Sequence, residues 1–203
     1  MVKNNIFLLC CCLLTLGMST LLIVGCSPVS PQVSYYSLLD FGQTIPAANA
    51  GKQLSLLIGP ISFPDALKTS QIATGGADGR YQLSEYHRWV SAVDRDFARA
   101  LGEQLAARLG TEQIALYPAN QYQQPTLQIV AEILAMEGAL DKEAKLTVRW
   151  SLVDPTSREA RLTRRATFNE HPVDATYGAW VAAQRRNISR LGEAIAAAIT
   201  SFY

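Results

Sequence analysis

The sequence predicts an α+β domain of two layers, in which a largely antiparallel sheet packs against two amphipathic helices. Three observations carry this expectation. Two segments, one from Val90 to Leu109 and one starting at about Asp174, repeat apolar residues at three- and four-residue spacing, which gathers them on one helical face. Three segments between Leu127 and Phe168 alternate apolar and polar residues, the mark of half-buried strands. A stripe on a helix and an apolar face on a sheet are buried most simply against each other.

In chain order, Ser34 to Leu39 (SYYSLL) reads as a short strand, and Gly42 to Lys52 as a loop rich in Ala, Gly and Asn. Leu54 to Ile61 (LSLLIGPI) is a continuous apolar run closed by Pro60 and Pro64; it is too short for a typical helix and suits a buried strand. Residues 62–80 read as irregular, ending in a glycine cluster, with a short strand over Tyr81–Leu83. The first helix presents Val90, Val93, Phe97, Leu101, Leu105 and Leu109 on one side, with Ser91 as a capping residue and Gly110 at its C-terminal end. Ile114–Tyr117 is a further short strand. The strands at 127–135, 144–152 and 160–168 follow, the last two joined by the turn residues Asp154-Pro155-Thr156-Ser157. Arg164 breaks the alternation of the last strand. The closing helix carries Tyr177, Trp180, Val181, Ile188, Leu191, Ile195 and Ile199 along its stripe. One face of the sheet is expected beneath both helices.

The N-terminus has a separate logic. Lys3 precedes an uncharged, largely apolar stretch from Asn4 to Gly25, the layout of a secretory signal. The stretch ends Ile23-Val24-Gly25-Cys26-Ser27 and resembles the lipobox of bacterial lipoproteins, with Ile and Val in place of the usual Leu and Ala or Ser. Residues 1–25 are thus expected to leave as a signal peptide. Cys26 would carry the lipid, and residues 26–33, with Pro28 and Pro31, would form a tether to a single domain at 34–203. An uncleaved membrane-spanning anchor is the alternative, since about 20 apolar residues cross a bilayer. A Gly-Cys end followed by a Ser-Pro linker favours processing. Ser27 rather than Asp after the lipidated cysteine resembles the pattern sent to the outer membrane in Gram-negative bacteria.

Charge and cysteine usage narrow the function. Loss of Lys3 leaves 17 basic residues, one fewer than the 18 of the whole chain, against 17 acidic ones. That balance argues against a general nucleic-acid binder and against capture by anionic headgroups. Cys10, Cys11 and Cys12 leave with the signal, so no disulfide is expected. His87 and His171 lack partners at metal-ligand spacing, and neither CxxC nor HExxH occurs. There is no GxSxG elbow or phosphate loop; Gly75-Gly76-Ala77-Asp78-Gly79 lacks the Lys-Ser/Thr that a phosphate cradle needs. Asp94 and Asp96 suit the first turn of a helix. No catalysis and no cofactor are expected.

One cluster stands out: Glu85-Tyr86-His87-Arg88-Trp89, just before the first helix. Either Tyr86 and Trp89 are core anchors with Glu85 and Arg88 as a surface pair, or the group is a contact surface of the kind rich in aromatics and Arg. Arg185, Arg186 and Arg190 form a basic patch on the closing helix, expected to face solvent, with a partner or headgroup contact as the second reading.

The lipobox, then Tyr35-Tyr36-Ser37-Leu38, Ile58-Gly59-Pro60-Ile61 with Pro64, Gln71-Ile72, and Glu85-x-His87-Arg88-Trp89 leading into a helix together resemble the ABC-type transport auxiliary lipoproteins. The likeness spans nearly the whole mature chain. Where such proteins often carry Leu-Asp-Arg-Pro-Gln-Ile-Val, this chain has Leu67-Lys68-Thr69-Ser70-Gln71-Ile72-Ala73, keeping Leu, Gln and Ile. The resemblance implies a non-catalytic, lipid-anchored component on the periplasmic face of the outer membrane. There it would dock an MCE-domain (mammalian-cell-entry) protein and, through it, an ABC transporter that moves phospholipids or other hydrophobic molecules between membranes. Glu85, His87, Arg88 and Trp89 would serve docking or family architecture, and a homo-oligomer would match the rings that MCE proteins form. The rival is an outer-membrane lipoprotein that activates a cell-wall synthase or scaffolds another envelope complex.

Overall fold

The computed structural model describes residues 31–40, 42, 54–76, 78–119 and 124–202. The chain divides into two units, Met1–Gln32 and Val33–Tyr203. The expected signal peptide at 1–25, Cys26 and most of the tether at 26–33 lie outside the described residues, as does nearly all of the loop at 42–52. Among the described residues, the second unit carries every helix and strand.

The elements are β1 (Ser34–Tyr36), β2 (Leu56–Ser62), β3 (Gln71–Gly75), β4 (Tyr81–Trp89), α1 (Val93–Leu109), β5 (Ile114–Leu116), β6 (Leu127–Glu137), β7 (Ala144–Val153), β8 (Ala160–Glu170) and α2 (Tyr177–Phe202). The α+β class and the packing of both helices on sheet stand as expected. The strands, however, divide between two mixed sheets, ordered β5-β2-β6-β7-β8 and β1-β4-β3. Only β6, β7 and β8 form the expected antiparallel meander. β2 lies between β5 and β6 and is parallel to both. Burial on both faces explains its unbroken apolar run. A parallel neighbour requires a crossover, and α1 supplies it between β2 and β5.

Residues 62–80, expected to be irregular, contain β3, and the strand expected over Tyr81–Leu83 continues as β4 to Trp89. The two pair as a hairpin. Backbone hydrogen bonds of 2.8 Å in both directions between Gly75 and Gly138 join this hairpin to the end of β6. Burial raises the pKa of the neighbouring Tyr81 phenol, and the nearby Glu137 charge adds to that rise.

The core lies between the five-stranded sheet and the helices. Phe97, Leu101 and Leu105 of α1 and Trp180, Leu191 and Ile195 of α2 are fully buried, with Ile58, Ile129, Val148 and Trp150 beneath them. Helix α1 starts later than the periodicity indicates: Val90 is 60% exposed and precedes it. Ser91 does not cap it; the capping position is Ala92, without a side-chain bond. Gly110 ends the helix in the left-handed conformation, with φ 62°, as its position indicates. Thr176 caps α2, its Oγ1 accepting from the Ala179 N–H at 3.1 Å. The helices approach closely at Gly192, where an added Cβ would lie 2.7 Å from Cβ of Gln104.

Two polar clusters fix the helices on the strands. Gln184 and Asn187, both fully buried on α2, reach strand carbonyls. The Gln184 Nε2 donates to the carbonyls of Glu137 and Lys145 at 3.3 Å, and the Asn187 Nδ2 to that of Ala144 at 2.9 Å. The second cluster centres on Asp96, 1% exposed in the first turn of α1. Its carboxyl oxygens accept from the Ser37 hydroxyl at 3.0 Å and the Leu38 N–H at 2.5 Å. From α2, Arg185 donates through two nitrogens to the Ser37 carbonyl, at 3.0 and 2.7 Å. The chain leaving β1 is thereby gripped by both helices.

Replacing Asp96 by Ala leaves the buried Leu38 N–H without a partner and the Ser37 hydroxyl without an acceptor, though its oxygen still accepts from the Leu39 N–H at 3.1 Å. The loss is about 2–4 kcal/mol, and urea unfolding should show the midpoint falling accordingly. In the β7–β8 turn, Arg161 donates to the Asp154 carboxylate, and the Ser157 and Thr156 N–H groups add to this, so its pKa lies below the ordinary 3.8. A depressed folded pKa stabilises above the unfolded value and is lost as pH falls through the folded one. NMR titration should place the Asp154 midpoint below 3.8, and Arg161→Ala should move it back up.

Candidate functional site

The Glu85–Trp89 cluster lies on β4, the central strand of the three-stranded sheet. β4 is bulged there. Gln71 pairs with Arg88 and Ala73 with Leu83, so five residues of β4 advance against two of β3. Ser84 closes the bulge: its buried Oγ accepts the His87 N–H at 3.1 Å and lies 2.9 Å from His87 Nδ1. A hydroxyl bonded to backbone three residues on is a local alternative to ladder pairing. It throws Glu85 and Tyr86 out to solvent, the latter 40% exposed.

After the bulge the side chains divide by face. Trp89 is buried, its ring centroid 6.5 Å from that of Trp180. The His87 ring stacks on Tyr177 at 4.0 Å and 15°, and lies 5.8 Å from Tyr36. These two residues join the small sheet to α2. Arg88 faces the other way, paired across the strands with Tyr35 on β1 and Gln71 on β3. It is half-buried, and its Nε has no hydrogen-bond partner among the described residues. Tyr35 is 63% exposed.

Trp89 is the core anchor that the first reading expects, whereas Tyr86, expected beside it in the core, is on the surface because the bulge turns it outward. His87 and Trp89 are anchors; Tyr86, Arg88 and Glu85, with Tyr35, form the outward surface. Among the described ion pairs, none joins Glu85 to Arg88. In the sequence Tyr35 enters only as part of the Tyr35-Tyr36-Ser37-Leu38 run and not as a site residue, although strand alternation opposes it to the inward Tyr36.

The basic patch on α2 is engaged rather than simply solvated. Arg186 and Arg190 both donate to Glu170, at 2.9 and 2.8 Å, and Arg186 also to the His171 carbonyl at 2.7 Å. Arg185 belongs to the Ser37 grip. His87 and His171 lie apart, and the described residues hold no group of three or more His, Cys, Asp or Glu side chains placed to bind a metal. One cavity of about 360 Å³ opens between the ends of β2 and β5 and the start of α1, lined by Ile58, Pro60, Tyr117 and Pro118 with Asp94 and Arg95.

A family model described as ABC-type transport auxiliary lipoprotein component matches residues 36–196. The chain belongs to this family. The matched auxiliary-lipoprotein region runs from the last residue of β1 into α2, so it takes in the Ser37–Asp96–Arg185 grip, the bulge and the His87–Tyr177 stack. No curated protein matches the chain in sequence. Among solved structures, an uncharacterized protein is similar at a TM-score of 0.65 with 17% identity, over 83% of this chain and 99% of its own. Protein XCC0632 from Xanthomonas campestris is similar at 0.60 with 10% identity, over 80% of this chain and 92% of its own. At such identities the likeness concerns the fold alone.

The two faces of β4 should separate in mutants. Trp89→Ala empties a buried site and should cost about 3–5 kcal/mol. Arg88→Ala should change stability by less than about 1 kcal/mol. Thermal unfolding of the two variants, side by side, measures the contrast.

Proposed function

We propose that this auxiliary lipoprotein is a non-catalytic component of an MCE/ABC-type intermembrane transport system, held on the periplasmic face of the outer membrane by lipid on Cys26. Its domain docks the end of an MCE-domain protein, which leads through an ABC transporter to the movement of phospholipids or other hydrophobic molecules. The family membership is the observation that carries this reading. The lipobox-like Gly25-Cys26-Ser27 supports the anchoring. Two or more acyl chains hold a protein to a bilayer, where one holds only marginally.

The geometry supports docking through Tyr35, Tyr86 and Arg88. Exposed aromatics beside a guanidinium are the residue types that dominate interface hot spots. Their backbone is held by the bulge and by the grip on Ser37, so little order has to be gained on binding. Seven residues, Ser27 to Val33, reach at most about 25 Å when extended. The start of β1 is therefore kept within about that distance of the lipidated cysteine.

The test is affinity purification of the lipidated protein from detergent-solubilised envelopes, followed by mass spectrometry. An MCE-domain protein should co-purify with the wild type, and at least tenfold less should be recovered with the Tyr35→Ala/Tyr86→Ala variant at unchanged thermal stability. Recovery of cell-wall synthases alone, or of no partner after cross-linking, overturns the transport reading. Recovery of the MCE protein undiminished in the double variant moves the docking surface elsewhere.

A further inference from the structure

We propose that the free edge of β8 is a second interaction surface, which takes an extended acidic segment of a partner protein as an added strand. β8 is eleven residues long and ends the five-stranded sheet. One side pairs with β7 from Ala144↔Glu170 to Leu152↔Leu162 without a break. Every second residue of a strand points its N–H and C=O to the opposite side. Among the described residues, no strand pairs with that side of β8. None of its residues is buried. Such an edge is a template for another strand.

Charge identifies the occupant. Across the sheet, Glu132, Arg149 and Arg165 form one row. Glu132 and Arg149 are paired at 2.6 Å, and Arg149 lies directly opposite Arg165. Like charges directly opposite on neighbouring strands repel. Arg164 lies opposite Trp150 and so projects from the other face of the sheet. Both arginines are exposed, and neither has an ionic partner among the described residues. Of the acids at the two ends of the strand, Asp154 is bound by Arg161 and Glu170 by Arg186 and Arg190; Glu159, before the first residue of β8, lies five residues from Arg164 along the strand.

The middle of the edge thus carries two adjacent, unmatched guanidinium groups, one on each face. A strand that placed two consecutive acidic residues beside them would match both and extend the row as minus, plus, plus, minus. A second copy of this chain does not suit the site. A two-fold pairing centred on β8 sets Arg165 beside Arg165. Arginines also blunt edges against aggregation, but that role needs only charge and gives no reason to set Arg165 opposite Arg149.

The test is site-specific photo-crosslinking in the full, lipidated chain in its native envelope, with a benzophenone amino acid at Thr163 and, as control, at Asp141 in the β6–β7 turn. Crosslinked peptides are identified by mass spectrometry. The expected adduct is a segment of another protein with two adjacent acidic residues. It should fall at least tenfold in Arg164→Glu/Arg165→Glu and return when the two acids of the partner are changed to Arg. Arg165→Gln, which also relieves the repulsion with Arg149, should fold as well as the wild type and still lower the yield severalfold. An adduct with lipid, with a second copy, or with a segment lacking acids overturns the proposal. So does an adduct indifferent to both variants, or none above the Asp141 control.

Discussion

A buried carboxyl group needs donors, and Asp96 finds them on a segment that has little of its own to hold it. β1 is three residues long, at the edge of a three-stranded sheet, and pairs only with β4. Such a strand cannot meet its own ordering cost of about 1–2 kcal/mol per residue. The Ser37 hydroxyl and Leu38 N–H bind Asp96 of α1, and the Ser37 carbonyl takes two donors from Arg185 of α2. Leu38 then fills the core at 1% exposure.

The position of β4 follows from the same grip. With β1 fixed, Tyr36 stands 5.8 Å from His87, His87 stacks on Tyr177, and Trp89 meets Trp180. The last two contacts lie between the small sheet and α2 rather than within either. The outward side of β4 inherits that rigidity. Arg88 sits between two residues that cannot move independently of the helix, and a surface built this way presents its aromatic groups in a fixed arrangement. The Gly75–Gly138 bonds hold the far end of the hairpin against β6, so the small sheet is tied at both ends.

Much of this is legible in the sequence, and the reason differs by element. The helical stripes and the β6–β8 alternation depend on local periodicity, which a sequence displays directly. The division into two sheets depends on which strands pair across long separations. LSLLIGPI reads as a buried strand, but nothing in it says that its neighbours are β5 and β6 and that both run parallel to it. β3 escapes notice because Gln71–Gly75 (QIATG) is short and ends in glycine. The bulge is hidden because Ser84 looks like any polar residue until its hydroxyl is seen on the His87 N–H. The cluster at 85–89 is visible as composition; its division into anchors and surface needs the register.

Charge shows most plainly why position outweighs count. A chain with 18 basic and 17 acidic residues gives no hint of where its electrostatics act. In the folded domain the arginines sort by task. Arg185 holds the exit from β1, Arg186 and Arg190 bind one carboxylate between them, and Arg149 and Arg161 each have a partner on a neighbouring strand or turn. Exposed pairs of this kind contribute at most about 1 kcal/mol each, so their value lies less in stability than in neutralising the charge around them. Against that background Arg88 on the small sheet and Arg164 and Arg165 on the free edge of the large one stand without an ionic partner among the described residues, as Arg80, Arg95, Arg99 and Arg158 also do; what sets Arg165 apart is its place directly opposite Arg149, where like charges repel.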